Sequence, residues 1–247
     1  MNKNYKISII TVTKNSENFL EECILSLDKQ SYRNYEHIII DGCSSDNTVN
    51  IIKKYKDKIS YWVSEKDEGL YDAMNKGIKK CSGDIIGILN SDDVYYPNAL
   101  KIVNEYFDLN KELDFLFGSV NKYKLLHGYN PKKIKWSFGF YTSHSVGFFI
   151  KKKSQLKVGF YNLKYKYSSD YDLFYRMIVH LKLKGMATKK EEILGKFRSG
   201  GISSSLSYLE YLKENTRIRI DNGQNIIFVY LIFLARFLRN FRKVFNF

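Results

Sequence analysis

Four short segments carry side chains whose types and spacing can do chemistry. Asp41 ends the apolar run Ile38-Ile39-Ile40, and Ser91-Asp92-Asp93 follows Ile85-Ile86-Gly87-Ile88-Leu89-Asn90. Between them lies Asp67-Glu68-Gly69-Leu70-Tyr71-Asp72-Ala73-Met74-Asn75-Lys76-Gly77, and Ser168-Ser169-Asp170-Tyr171-Asp172-Leu173 places two more acids in the second half. Adjacent carboxylates at the end of a buried strand can hold a hard divalent cation, which prefers oxygen ligands and often shares them with a phosphate. The same Ser-Asp-Asp is also compatible with a turn that caps the helix opened by Pro97. Asp41 can accept hydrogen bonds from a nucleobase or ribose, or close an Asx-turn with Gly42. Asp170 and Asp172 suit a helix N-terminus, where the dipole favours acids, or proton transfer. Acids delivered by successive strands gather where open α/β sheets bind ligands. The series points to a nucleotide-and-metal site, and so to an enzyme.

The elements that must position these residues are legible in the periodicity. Strands are expected at 6–13, 36–41, 59–63 and 84–90, and helices at 17–29, 48–55 and 70–80, with Leu20, Ile24 and Leu27 as the apolar stripe of the first helix. Ser44-Ser45-Asp46 supplies a turn and cap, and Pro97 opens a helix of about a dozen residues. Alternation of this kind implies a parallel sheet with helices on both faces. Beyond about residue 114 the pattern loosens. Strands are expected at 115–120, 146–150 and 192–198, helices at 170–182 and 204–220, and an irregular Lys-rich, aromatic stretch at 121–142.

The chain has 247 residues, 44% hydrophobic and 27% charged, enough for one large domain with a packed core. A net charge of +14 admits nucleic acid, an anionic membrane surface or a phosphate-bearing substrate as partner. Cys23, Cys43 and Cys81 form no CxxC pair or Cys/His cluster, which argues against structural zinc and fits a reducing compartment. The N-terminus runs straight into a strand without an apolar signal region, so a cytoplasmic chain is expected. The tail differs. Ile226 to Ala235 is uncharged and apolar, and then Arg236, Arg239, Arg242 and Lys243 recur every three or four residues. That run is too short to span a bilayer, which needs about 20 residues. It suits a basic amphipathic helix lying in the headgroup region, or a helix that caps the domain or joins two copies in a homodimer.

Taken in order, the motifs resemble the inverting family-2 glycosyltransferases, strongly over about 6–110 and more loosely over 140–205. The segment from Tyr61-Trp62-Val63-Ser64-Glu65 to Gly77 is closest, and it resembles the branch that builds bacterial surface polysaccharides such as capsule or lipopolysaccharide. The resemblance implies a GT-A fold, α/β, with a Rossmann-like, mainly parallel central sheet flanked by helices. It implies a transferase domain at 1–220 (nucleotide-binding half about 1–110, acceptor-binding half about 111–220), followed by a basic amphipathic helix at 221–247. The donor would be a nucleotide sugar, UDP-linked by preference, giving up a hexosyl or N-acetylhexosaminyl unit. Val12, Thr13, Asn15, Asp41, Asp67, Asn75, Ser91 and Asp92 would surround the nucleotide. Many members have tyrosine where this chain has Lys14, whose charge suits phosphate. Asp93, with Asp92, would hold Mn²⁺ or Mg²⁺, and Asp170 would be the catalytic base, with Ser169 in place of the usual glutamate. His144, Asp172 and Arg198 are assigned to the acceptor side, and the Gly-rich segment 197–203 to the diphosphate. The acceptor would be a glycan or lipid-diphosphate-linked oligosaccharide at the inner face of the cell membrane, with the basic tail as surface contact.

Three other classes fit the residues less well. A nucleotidyltransferase would carry a Gly-rich loop after the first strand, where this chain has Thr13-Lys14-Asn15-Ser16. A nucleic-acid binder is suggested by charge alone, without a helix-turn-helix, zinc-finger or RNP-type motif, so no nucleic-acid partner is expected. A non-catalytic glycan- or lipid-binding member would have no need of Asp41, Asp93 and Asp170 together.

Overall fold

The computed structural model describes residues 3–136, 139–198 and 207–241. Four strands, β1 (Ile7–Thr13), β2 (Tyr35–Asp41), β3 (Tyr61–Ser64) and β4 (Ile85–Ile88), lie in the order β3-β2-β1-β4 and run parallel. β1 is buried along its whole length. A strand covered on both faces reads as an unbroken apolar run, as Ile7, Ile9, Ile10 and Val12 do here. Helices α1 (Leu20–Asp28), α2 (Thr48–Lys54), α3 (Leu70–Lys80) and α4 (Ala99–Leu109) connect and cover the strands. Leu20, Ile24, Ile39 and Ile52 pack in one apolar cluster on one side, and Ile10, Ile38, Met74 and Ile78 in another.

The second half departs from simple alternation. β5 (Val94–Tyr95), β6 (Phe115–Phe117), β7 (Ser119–Asn121), β8 (Leu125–Leu126), β9 (Phe148–Lys151), β10 (Gly185–Ala187) and β11 (Ile193–Lys196) complete two sheets. The larger has seven strands in the order β10-β6-β9-β4-β1-β2-β3, and the smaller four in the order β5-β11-β7-β8. β9 is antiparallel to both β4 and β6, so the central sheet is mainly rather than wholly parallel. The reversal matters: an antiparallel β9 starts at the edge where β1, β2 and β4 end. Helices α5 (Lys152–Val158), α6 (Ser169–Tyr175), α7 (Tyr208–Asp221) and α8 (Ile226–Arg239) follow, and a π-helical stretch, Arg176–His180, prolongs α6.

Several expected bounds move for local reasons. The strand expected at 59–63 begins at Tyr61, because Lys56–Lys58 forms a 3-10 turn and Ile59 packs with Ile39 and Ile52. The strand expected at 146–150 begins at Phe148, because Val146 adopts φ 68°. α5, β10 and the second sheet were not legible in the pattern. Within the helix expected at 204–220, positions 204–206 lie outside the described residues, and α7 covers the remainder.

Candidate active site

Strand register brings the carboxyl ends of three strands into one row. Thr13 of β1 pairs with Asp41 of β2, and Asp41 with Ser64 of β3. Asp41 is fully buried, its carboxylate accepting from Ser44 N at 3.0 Å, from Ser64 Oγ at 2.6 Å and from Ser44 Oγ. These bonds fix Asp41 in the turn that follows β2. Asn15, at φ 51°, ties the β1 loop to the β2 loop: its N–H donates to Ser44 Oγ (2.8 Å) and its Oδ1 accepts from Ser45 N (2.9 Å). A Cβ on Gly42 would lie 2.3 Å from Asp67 Oδ2 and 3.4 Å from Lys14 Cδ, so glycine lets Asp67 and Lys14 close over the end of β2. Val12 packs in the core, leaving its backbone as the part that could meet a ligand.

The second group forms around the end of β4. Ser91 Oγ lies 2.8 Å from Ser16 Oγ, which joins this loop to the one after β1. Asp93 is fully buried; its Oδ2 accepts from Ser145 Oγ (2.7 Å) and its Oδ1 from Arg198 N (2.9 Å). Both donors are products of topology. Ser145 lies in the segment leading into β9, and Arg198 follows β11, whose Lys196 pairs with Val94. Burial, and then the neighbouring Asp92, push the Asp93 carboxyl up to about 7 despite those donors, and burial also raises Asp92. Val146, next to Ser145, holds φ 68°, a costly conformation for a β-branched residue.

Among the described residues no group of three His, Cys, Asp or Glu side chains forms a ready metal cage. The donor set nonetheless suits a hard cation that keeps other oxygen ligands. It offers two adjacent carboxylates raised by burial, and Asn90 Oδ1 is buried with no hydrogen-bond partner among the described residues. Thr13 Oγ1 is a second such orphan.

The third group surrounds Asp170, at the N-terminus of α6. Its Oδ2 accepts from Tyr141 OH (2.9 Å), and its Oδ1 from Tyr71 OH (3.2 Å) and Tyr171 N (2.9 Å). Burial, and then the charge of Asp170, raise both Tyr71 and Tyr141 far above the ordinary tyrosine range, so both stay protonated donors. Tyr71 opens α3, which follows β3, so Asp170 sits at the same sheet edge as Asp41. His144 Nε2 lies 2.6 Å from Tyr161 OH, and burial lowers its pKa, which keeps the ring neutral near pH 7.

Three expected residues are placed differently. Asn75 grips the backbone of Tyr161, donating to its O and accepting from its N, both at 2.9 Å. Asp172 is buried, pairs with Arg176 at 2.9 Å and accepts from Asn222 at 2.9 Å, so it holds α6 to its neighbours. The Arg198 backbone belongs to the Asp93 group, while its side chain pairs with Glu22 and lies over the Phe19 ring. Ser199 to Ser203 of the Gly-rich segment lie outside the described residues. The sequence does not single out Tyr71, Tyr141 or Ser145, because each acts through a partner distant in the chain, nor Asn90, whose side-chain oxygen has no partner among the described residues; only the placement of Ser145 beside His144 is a hint.

The sequence model of glycosyl transferase family 2 matches residues 8–166, which takes in the first group and, apart from Arg198, the second, and ends four residues short of Asp170. The chain belongs to that family. An uncharacterized glycosyltransferase of Rickettsia typhi is 33% identical over 189 residues, 70% of this chain and 58% of that protein. The chain therefore spans little more than half the length of that relative. Among solved structures, a fragment of Staphylococcus aureus TarS in complex with UDP superposes with TM-score 0.70 at 18% identity, over 96% of this chain and 73% of that one. A Pyrobaculum calidifontis mannosyltransferase in complex with GDP-Man and Mn²⁺ superposes with TM-score 0.64 at 13% identity, over 95% and 69%. The shared fold is GT-A, with the mainly parallel sheet and flanking helices expected of family 2.

Proposed function

We propose that this family-2 chain transfers a sugar from a UDP-linked donor to a hydroxyl of a glycan or lipid-linked oligosaccharide, with inversion, in bacterial surface polysaccharide synthesis. The observation that carries the reading is the Asp170 carboxylate, held by two tyrosine hydroxyls at the sheet edge where Asp41 and Asp93 also end. The UDP complex of TarS supports the donor class, and the Mn²⁺ complex of the mannosyltransferase supports a metal.

In this reading the Asn15, Asp41 and Asp67 loops receive the nucleoside, with Lys14 beside the phosphates. Asp93, Asp92 and Asn90 Oδ1 would hold Mn²⁺ or Mg²⁺, which neutralises charge building on the leaving diphosphate. Asp170 takes the proton of the acceptor hydroxyl as that oxygen attacks the anomeric carbon. Tyr71 and Tyr141 fix the carboxylate in one orientation and stay protonated themselves. Neutral His144 and Tyr161 wall the acceptor side without adding charge. Ser145 and the Arg198 N–H keep Asp93 from rotating away.

The test is a thermal-shift panel of UDP-, GDP- and dTDP-sugars with and without Mn²⁺. Ligand that binds the native state raises the melting temperature by mass action. A Mn²⁺-dependent rise with UDP-sugars is the expected outcome. A flat panel across all donors overturns the reading, and a rise with GDP- or dTDP-sugars alone overturns the UDP assignment.

A further inference from the structure

Helix α8 is apolar on the side that faces water as well as the side that faces the protein. Val229 and Ile232 are buried. Ile227, Leu231, Leu234 and Leu238 follow at spacings of four, three and four, which aligns them on one helical stripe. Their exposures are 69%, 57%, 51% and 62%. A surface helix of a protein surrounded by water carries polar residues there. The 14 residues of α8 extend ~21 Å at ~1.5 Å per residue. No described helix is long and apolar enough to cross a membrane.

A second segment packs against the start of the helix. The Trp136 ring, 53% exposed, packs edge-on against Phe228 at 4.6 Å, and Gln224 Nε2 donates to Lys135 O at 3.0 Å. The start of α8 is therefore flanked by Lys132, Lys133, Lys135 and an exposed indole. Arg239, in the last turn of the helix, is exposed. The chain has no Asp or Glu after Asp221, and none between Asp114 and Asp170, so neither segment supplies an acid to balance these cations.

We propose that α8 and the 131–136 turn form one docking face for an anionic lipid surface, with the helix lying in the headgroup plane. Charge selects this occupant over a second copy of the chain. Two copies meeting through this face would bring Lys132, Lys133 and Lys135 of one copy against cations of the other, whereas anionic headgroups neutralise them. Tyr230 and Trp136 suit the interface, where aromatic rings with a polar end are favoured. The face also adjoins the site. Tyr171, next to Asp170, donates to Ile134 O at 2.8 Å, and Asn222 ahead of α8 donates to Asp172 at 2.9 Å. An acceptor anchored in the same leaflet would present its hydroxyl beside Asp170; that step rests on the transfer reading, while docking stands apart from it and is read from vesicle binding alone.

The experiment is sedimentation of the full chain with phosphatidylcholine vesicles, with and without phosphatidylglycerol, at low and high salt. The expected result is binding that requires phosphatidylglycerol and weakens with salt. Each of Lys132→Gln, Lys133→Gln and Lys135→Gln should loosen it by roughly fivefold. The double substitution Leu231→Glu with Leu234→Glu should abolish it while leaving the melting temperature unchanged, and the lysine variants supply the test if that double variant is unstable. Absence of binding, or equal binding to neutral and anionic vesicles, overturns the proposal. So does a dimer in light scattering that Leu231→Glu with Leu234→Glu splits, since that makes a second copy the occupant.

Discussion

Asp93 and Asp170 are both carboxylates at one sheet edge, and their surroundings set them to different tasks. Asp170 keeps three donors and partial exposure, as a group that must meet substrate would. Under the proposed transfer, replacing it by asparagine removes the acceptor of the proton, so turnover should fall by about 10² to 10⁴, while the donor-induced rise in melting temperature is retained. Tyr141→Phe removes one orienting bond worth about 1 kcal/mol, so turnover should drop several-fold with donor binding unchanged in steady-state kinetics. Asp93 is the opposite case. Its folded value of about 7 stands above the ordinary carboxylate value. Between those two values the folded chain keeps a proton that the unfolded chain has released. Stability of the metal-free chain should therefore fall as pH rises through roughly 4 to 7, by at most about 1.4 kcal/mol per pH unit from this group. Urea unfolding between pH 5 and 8 would show the slope, and Asp93→Asn should flatten it.

At the scale of elements, the critical feature is the antiparallel pairing of β11 with β5, which seats the Arg198 N–H on Asp93. Gly195 makes that approach possible: a Cβ there would lie 2.2 Å from the Val94 carbonyl oxygen and 3.0 Å from Tyr95 Cα. Those are backbone atoms that cannot rotate aside. Gly195→Ala should destabilise the chain by about 3 kcal/mol, at the upper end of overpacking costs, as read by chemical denaturation. It should also weaken the Mn²⁺-dependent part of donor binding more than the metal-independent part. The second sheet therefore serves the first, and the costly φ of Val146 is a sign of the same constraint on the other side of Asp93.

At the scale of the whole molecule, the charge of +14 acts at a distance. An anionic donor approaching a cationic chain is steered, and the gain is lost as salt screens the field. Donor association measured by stopped flow should slow as ionic strength rises, with dissociation far less affected. A rate indifferent to salt would show that the lysines lie too far from the approach path to matter.

The sequence by itself determined the four-stranded parallel part of the first half of this protein, and the reason is that its signals are local. Buried parallel strands read as unbroken apolar runs, and Asp41 and Ser91-Asp92-Asp93 are marked by the strands they end. The register that places Thr13 beside Asp41 follows from the pairing of the consecutive strands β1 and β2. Only the tertiary structure decided the rest. Ser145 and Arg198 reach Asp93 across 52 and 105 residues, and Tyr71 reaches Asp170 across 99. No periodicity encodes such contacts, because they depend on β9 running antiparallel and on β11 joining a separate sheet. The same holds for Asn75 and Asp172, polar residues in motif-like positions that packing turned inward to hold Tyr161 and Arg176.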